Sequence, residues 1–390
     1  MSTETAPLPV GASRTRSHLY SQIACGMNAD TLAIQILGLT TGKGGGKPVV
    51  ASEQKAPFKD GDWTPTSIAL TGTTAPVTLD ELTVCAGSSA TEAVGLGSDG
   101  RLYAVGSVAE AASWVGGRGA IATPTTFAPN TLSSWPINTV TVFAVSPTGA
   151  PYVAAYQDAS QAWQSGYPLP KPDATALRSF AARPDLSDAG TTHAIGLTTT
   201  GEAYEIATAQ GPGIGVANWS AGKGRLGSAS GLPVFNQLLL ISGDNNQVFH
   251  VIGLGSDGSV WDVDTYSISA STWSGTSTTI AASGSITEGT IDFYLSTTAA
   301  GETAINLLAW AGSSLTCFAT FVTGWTASTT TVPTAGVSSK WQVIDNSAAA
   351  MDGDYGDVFI IGLSGVGLVY ELSYFHAGTW TAGAPTPINK

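Results

Sequence analysis

The sequence predicts an all-β protein, a seven-bladed β-propeller with about four antiparallel strands per blade, and three observations carry that expectation. The first is a tryptophan that returns seven times, as Trp63, Trp114, Trp163, Trp219, Trp273, Trp325 and Trp380, at intervals of 51, 49, 56, 54, 52 and 55 residues. The second is an apolar-small-apolar element ahead of it: Leu37-Gly38-Leu39, Val94-Gly95-Leu96, Phe143-Ala144-Val145, Ile195-Gly196-Leu197, Ile252-Gly253-Leu254, Leu308-Ala309-Trp310 and Ile361-Gly362-Leu363. The third is a glycine turn with an aromatic three residues later, clear in five copies: Gly100 and Tyr103, Gly149 and Tyr152, Gly201 and Tyr204, Gly258 and Trp261, Gly367 and Tyr370. A period of about 50 residues holding several short strands marks a propeller blade. Helical repeats of that length need runs of Ala, Leu, Glu and Lys that this Gly-, Ser- and Thr-punctuated chain lacks.

Each element follows from local rules. The opening "MSTETAPLPVGASRTRSHLYSQ" is polar and broken by Pro and Arg, so residues 1–17 are expected to form a flexible N-terminal arm and residues 18–390 a single propeller domain. The residues before the small position are apolar in pairs, as in Ile36-Leu37, Val142-Phe143, Val251-Ile252 and Ile360-Ile361. A strand apolar on both faces is covered on both faces, which suits the middle of a blade held between its neighbours. The small residue fits a place where another backbone comes close. In "HVIGLGSDGSVWDVDTYSISASTWSG", residues 250 to 275, Asp257-Gly258 turns the chain between a β-branched run and the strand from Val260 to Val263. A near copy, "EAVGLGSDGRLYAVGSVAEAASWVGG", runs from Glu92 to Gly117.

Composition narrows the function. The chain has 390 residues, 47 glycines, 11% charged residues and a formal net charge of −13, which opposes nucleic acid and anionic membrane surfaces because both need clustered Lys and Arg. Cys25, Cys85 and Cys317 are odd in number and lack metal-type spacing, so neither a disulfide framework nor a zinc site is expected, although one bridge stays open beside buried thiols. No segment approaches the length of a transmembrane helix and no secretory leader is read at the start, which predicts cytoplasmic synthesis with storage in the cell or release by a leaderless route.

The diagnostic letters of several blade families are missing. A sialidase Asp box needs Ser-x-Asp-x-Gly-x-x-Trp, a Trp-Asp pair occurs once at Trp261-Asp262, and Gly-Gly pairs are confined mainly to the first two copies. What remains is a glycine-turn hairpin with an aromatic and then Trp-x-x-Gly before a loop, as in "TWSG", "SWVGG", "AWQSG", "NWSAG" and "TWTAG". This pattern resembles the seven-bladed β-propeller lectins of the Photorhabdus type and, more distantly, the Aleuria-type fucose lectins and the Psathyrella lectin. The resemblance covers about residues 18 to 390. It implies a multivalent carbohydrate-binding protein with shallow sites for fucose or related monosaccharides in clefts between adjacent blades, glycans or glycoconjugates as partners, and no cofactor. The Aleuria-type pattern places an Arg and a Glu beside the aromatic of each site, and in this chain no Arg recurs with the repeats. The oligomeric state stays open, a homodimer included.

The candidate ligand-binding residues are the seven tryptophans, whose indoles could stack on the C–H face of a sugar or wedge the blades together, with Glu205, Trp261, Asp262, Tyr370 and Glu371. Glu205, Asp262 and Glu371 occupy one column after the hairpin aromatic, where Ala104, Val153 and Cys317 stand in other copies. The interface richest in sugar chemistry is expected to combine Trp261, Asp262 and Trp273 with Trp219 and Glu205. A further column, Gln35, Glu92, Thr141, His193, His250, Asn306 and Phe359, is expected at the channel mouth or on one face of the ring. No nucleophile-base constellation stands out, so no catalytic residue is named; a protein-interaction scaffold and a hydrolase or cyclase acting at the channel remain the alternatives. "DGDYGD", Asp352 to Asp357, is read as turn residues rather than a metal site.

Overall fold

A computed structural model describes residues 20–27, 34–41, 46–54, 63–69, 78–86, 90–109, 114–136, 140–157, 162–184, 191–210, 218–227, 231–243, 248–286, 289–298, 300–311, 314–334, 340–345, 358–364, 368–376, 378–383 and 387–388. The expected arm at residues 1–17, the stretch from Asp352 to Asp357 and the turn residue Gly367 lie outside them. The described residues are all-β and form seven antiparallel sheets in chain order. Five sheets have four strands, and the sheets of blades 3 and 5 have five because their outermost strand is broken in two, as at Thr272–Trp273 and Thr278–Ala281. Their first strands neighbour one another around the ring, from Tyr20–Met27 through Leu79–Ala86, Ser133–Pro136, Leu177–Pro184, Phe235–Gly243 and Ile291–Thr297 to Lys340–Asp345 and back. The first strand is therefore innermost and the fourth is outermost, as in a propeller.

The apolar core is divided among the blade interfaces. Seven principal clusters each join residues of two adjacent blades, for example Ile195 and Leu197 with Phe249 and Val251, or Leu308 and Trp310 with Ile360 and Leu372. The doubly apolar second strands supply both sides: Val358–Leu363 and Val140–Val145 are buried throughout. Each blade's strands are consecutive in the chain, and the ring closes through side chains, with Tyr20, Ile34 and Ile36 packed on Phe359, Ile361 and Tyr374.

Two glycine columns fix the geometry. The turn glycines Gly100, Gly149, Gly201 and Gly258 have φ of 75°, 80°, 83° and 77°, which only glycine adopts without strain. Their carbonyls accept backbone hydrogen bonds from the chain entering the next blade, as from Phe127 to Gly100 at 2.7 Å and from Phe235 to Gly201 at 2.8 Å. The small position of the second strand behaves differently from expectation. A Cβ at Gly253 would fall 2.6 Å from the ring of Phe235, so the close neighbour is a side chain of the innermost strand rather than a backbone.

The innermost strands are also clasped by polar side chains that no periodicity announced. Gln22 exchanges two hydrogen bonds with the backbone of Leu82, and Gln237 does the same with Ile291. The Glu81 carboxylate accepts from the amides of Thr131 and Leu132 at 3.2 and 3.0 Å, and Asp292 accepts from Val343 at 3.0 Å. Arg178 and Arg183 donate to the carbonyls of Phe235 and Leu240. Burial pushes the Glu81 carboxyl up to about 7, against the pull of those amides. All three cysteines are free and buried; burial raises each thiol, that of Cys85 to about 12.

Candidate functional site

The seven tryptophans stand at the start of the outermost strand of each blade and lean on the blade before. Trp63 meets Phe359 of blade 7 edge-on at 5.7 Å, Trp219 meets Phe143 of blade 3 at 6.4 Å, and Trp325 meets His250 of blade 5 at 5.9 Å. Trp63, Trp114 and Trp219 are each only 8% exposed, whereas Trp163, Trp273, Trp325 and Trp380 are half-buried. In the three buried cases the indole face is already covered by the neighbouring blade.

The acidic column explains itself at these contacts. Asp262 Oδ2 accepts from Trp325 Nε1 at 2.9 Å and from His250 Nδ1 at 2.7 Å, and the Glu371 carboxylate accepts from Trp63 Nε1. Glu205 binds His193 Nδ1 at 2.8 Å and the amide of Lys223 at 2.7 Å. A carboxylate can only accept, so both imidazoles carry their proton on Nδ1. Where the column holds Ala104 or Val153, the facing indole nitrogens, Trp163 Nε1 and Trp219 Nε1, are buried without a partner. The carboxylates are 3%, 5% and 0% exposed for Glu205, Asp262 and Glu371; Asp262 and Glu371 each take an indole N–H from the next blade, whereas Glu205 takes both of its donors from its own blade.

The combination expected around blade 5 is split over three interfaces. Trp219 faces blade 3, Trp273 packs on His193 of blade 4, the residue that Glu205 binds, and Asp262 meets Trp325 of blade 6. Trp261 donates to Ser259 Oγ at 3.0 Å and packs half-buried on the blade 4–5 cluster. Tyr370 and Trp380 are both half-buried on the blade 6–7 cluster, toward opposite ends of the strand Val369–His376, and Trp380 Nε1 reaches Tyr294 Oη at 3.4 Å. The polar column from Gln35 to Phe359 lies inside the second strands, each member 6% exposed or less, rather than at the channel mouth. Its two histidines are sealed: His193 sits between Tyr266 and Trp273, and the Nε2 atoms of His193 and His250 are buried without a partner.

Open, chemically mixed surface lies at the other end of the blades, where the glycine turns meet the chain running into the next blade. Between blades 4 and 5 a cleft of about 350 Å³ is lined by Glu202, Arg225, Leu232, Pro233 and Val234 among others. Arg225 and Glu202 form an ion pair at 3.1 Å with both side chains more than a third exposed, and Val234 is 52% exposed. Between blades 2 and 3 the corresponding cleft, about 430 Å³, is lined by Arg101, Ala120 and residues 121–126. Beside it Tyr167 is 45% exposed, and its neighbour Gly166 donates to the carbonyl of Ala122 at 2.8 Å.

The two clefts are equivalent positions of the repeat. In blades 2 to 5 the carbonyl of the residue after the turn glycine accepts a backbone hydrogen bond from across the turn: Arg101 from Gly97, Ala150 from Ser146, Glu202 from Thr198 and Ser259 from Gly255. The facing residue of the outer strand is Ala120 opposite Tyr103 and Arg225 opposite Tyr204. Sequence reading missed Arg101, Glu202 and Arg225 because they do not recur as one residue type. The signal that could have found Arg101 and Glu202 was the turn glycine, counted one residue onward; Arg225 comes from the outer strand, where only the pairing register reveals it.

No metal-binding cluster of His, Cys, Asp and Glu occurs among the described residues, and no helix there is long and apolar enough to cross a membrane. No protein-family model and no curated protein matches the sequence. Among solved structures, the chain is similar to the BP39L lectin from Burkholderia pseudomallei, with a TM-score of 0.59 at 15% identity over 95% of this chain and 99% of that one. Weaker likenesses, both with a TM-score of 0.49 at 13% identity, are to the Aleuria aurantia lectin, over 96% of this chain and 98% of that one, and to a candidate 6-phosphogluconolactonase from Bacteroides uniformis, over 90% and 100%. What this chain shares with BP39L at that identity is the fold.

Proposed function

We propose that the protein binds carbohydrate multivalently, at shallow clefts between successive blades on the end of the ring that carries the glycine turns. The observation that carries this reading is the cleft of blades 4 and 5, where an exposed apolar wall of Pro233 and Val234 shares one concavity with the Glu202–Arg225 pair. A saccharide presents the same two surfaces, an apolar C–H face and a rim of hydroxyls. Glu202 accepts from the hydroxyls, Arg225 donates to them, and the apolar wall takes the C–H face. The fold shared with a protein named as a lectin supports the reading at the level of architecture.

Such sites are weak one at a time. Repetition around a ring raises avidity by about 10² to 10⁴ when several engage one glycosylated surface. In this reading the seven recurring tryptophans belong to the packing end of the blades, Asp262 and Glu371 tie adjacent blades together through Trp325 and Trp63, Glu205 ties strands within blade 4, and the partly open rings of Trp261 and Tyr370 lie toward the end that carries the clefts. No reaction is assigned, because both His–carboxylate pairs are enclosed between blades.

A glycan array tests the reading, with fucosides first because the sequence resemblance implies them. Binding to a defined saccharide class, lost in a titration with Arg225→Ala, is the expected result. A blank array at high protein concentration, together with a single protein partner in pull-downs, would overturn it in favour of a scaffold.

A further inference from the structure

The two clefts differ in charge at equivalent positions. In blade 4 the residue after the turn glycine is Glu202, and it neutralises Arg225 at 3.1 Å. In blade 2 the same position holds Arg101, and the position of Arg225 is taken by Ala120, which carries no charge. Arg101 is exposed on the cleft and makes no ion pair among the described residues. The nearby acid, Asp99, is turned onto its own turn, accepting from the Arg101 amide at 3.1 Å and from Tyr103 Oη at 2.7 Å. The cleft wall offers the hydroxyls of Thr123, Thr125 and Thr126, and Thr123 donates its proton to the carbonyl of Thr125 at 2.9 Å, so toward a ligand its oxygen can act as an acceptor.

Resting on the carbohydrate reading above, we propose that the cleft between blades 2 and 3 takes an acidic saccharide, one whose carboxylate or sulfate ester meets the Arg101 guanidinium, while the cleft between blades 4 and 5 takes neutral sugars. A planar guanidinium presents paired donors that match two oxygens of an oxyanion, an arrangement a neutral hydroxyl cannot satisfy as fully. The threonine hydroxyls bind the remaining sugar hydroxyls, and the exposed ring of Tyr167 lies beside the cleft to meet an apolar sugar face. The net charge of −13 opposes an anionic ligand at long range, but at about 0.15 M salt the screening length is about 8 Å, so the local guanidinium governs contact.

The test is a titration of isotope-labelled protein at about 0.15 M salt, followed by amide shifts, with D-glucuronate, D-glucose 6-sulfate, D-glucose and inorganic sulfate as probes. Glucuronate and the sulfated sugar should move the amides of Arg101 and Thr123 to Thr126 at concentrations about three- to tenfold lower than glucose does. Arg101→Gln should remove that advantage, with the glucose-induced shifts at the blade 4–5 cleft as an internal standard in both proteins. The proposal is overturned if acidic and neutral sugars bind this cleft alike, if Arg101→Gln leaves the preference intact, or if inorganic sulfate binds as tightly as the sulfated sugar. Neutral binding at blades 4 and 5 without an acid preference at blades 2 and 3 rejects this inference alone. No binding by any saccharide rejects the carbohydrate reading with it.

Discussion

The two ends of the blades are built to opposite rules. At one end a tryptophan recurs in every repeat, and in each case it packs on the preceding blade. At the other end the residue after the turn glycine occupies one backbone position in each blade, yet it is arginine, alanine, glutamate or serine in blades 2 to 5. Regular recurrence therefore marks what every interface needs, and variation at a registered position marks where the interfaces differ in chemistry. The column most conspicuous in the sequence is the structural one.

The largest effect that could break this comparison is at the tryptophan end. Trp63→Ala or Trp219→Ala should cost about 3–5 kcal/mol of stability, the usual range for emptying a buried aromatic site, measured by denaturant titration. Saccharide affinity per folded molecule should not change. A variant of normal stability with lost binding would return the buried indoles to the ligand site.

A sharper version separates two indoles of equal burial. Trp63 Nε1 donates to the buried Glu371 carboxylate, whereas Trp219 Nε1 has no partner. Trp63→Phe strips a hydrogen bond from a fully buried acid, so it should cost about 1–3 kcal/mol more than Trp219→Phe. Equal losses in the two variants would mean that the acidic column contributes nothing to the ring.

How much of this was legible beforehand follows from the same contrast. Period, propensity and turn chemistry are local and repeated, so seven blades, the doubly covered second strands and the turn at Gly258 could be read from the sequence. Which blade a side chain faces is not local. Asp262 and Trp273 lie in one repeat but face opposite neighbours, and that alone dissolved the site expected from their proximity in sequence. The clasps of Gln22, Glu81 and Gln237 were invisible for a further reason: their partners are backbone groups of another blade, which leave no residue signature.

Glu81 gives a pH test of the clasps between the innermost strands. Its folded-state carboxyl is raised from the ordinary 4.5 to about 7, so between those values the folded protein holds a proton that the unfolded chain has released. The stabilising contribution of the protonated form is fully present below about pH 4.5 and is lost as pH rises through about 7. This group should lower stability by up to about 1.4 kcal/mol per pH unit across that window. Glu81→Gln should flatten the slope while retaining one acceptor for the amides of Thr131 and Leu132. An identical slope in wild type and variant would show that the carboxyl titrates normally.

The smallest stability effect, and the one most specific to the turn end, concerns Glu202 and Arg225. An ion pair this exposed contributes about 0.2–1 kcal/mol to folding, because water competes for both charges. Arg225→Ala and Glu202→Gln should therefore shift the unfolding midpoint little. In binding the same groups are partly shielded by the sugar itself, so losing one should weaken a neutral saccharide about three- to tenfold at this cleft. If the pair acts as one donor–acceptor unit, the double variant should bind no worse than the weaker single variant, since coupled groups are not additive. Strictly additive losses would instead assign Glu202 and Arg225 to separate hydroxyls. Unchanged affinity in all three variants, with binding still present, would move the sugar away from this cleft and leave the variable turn position without a role in recognition.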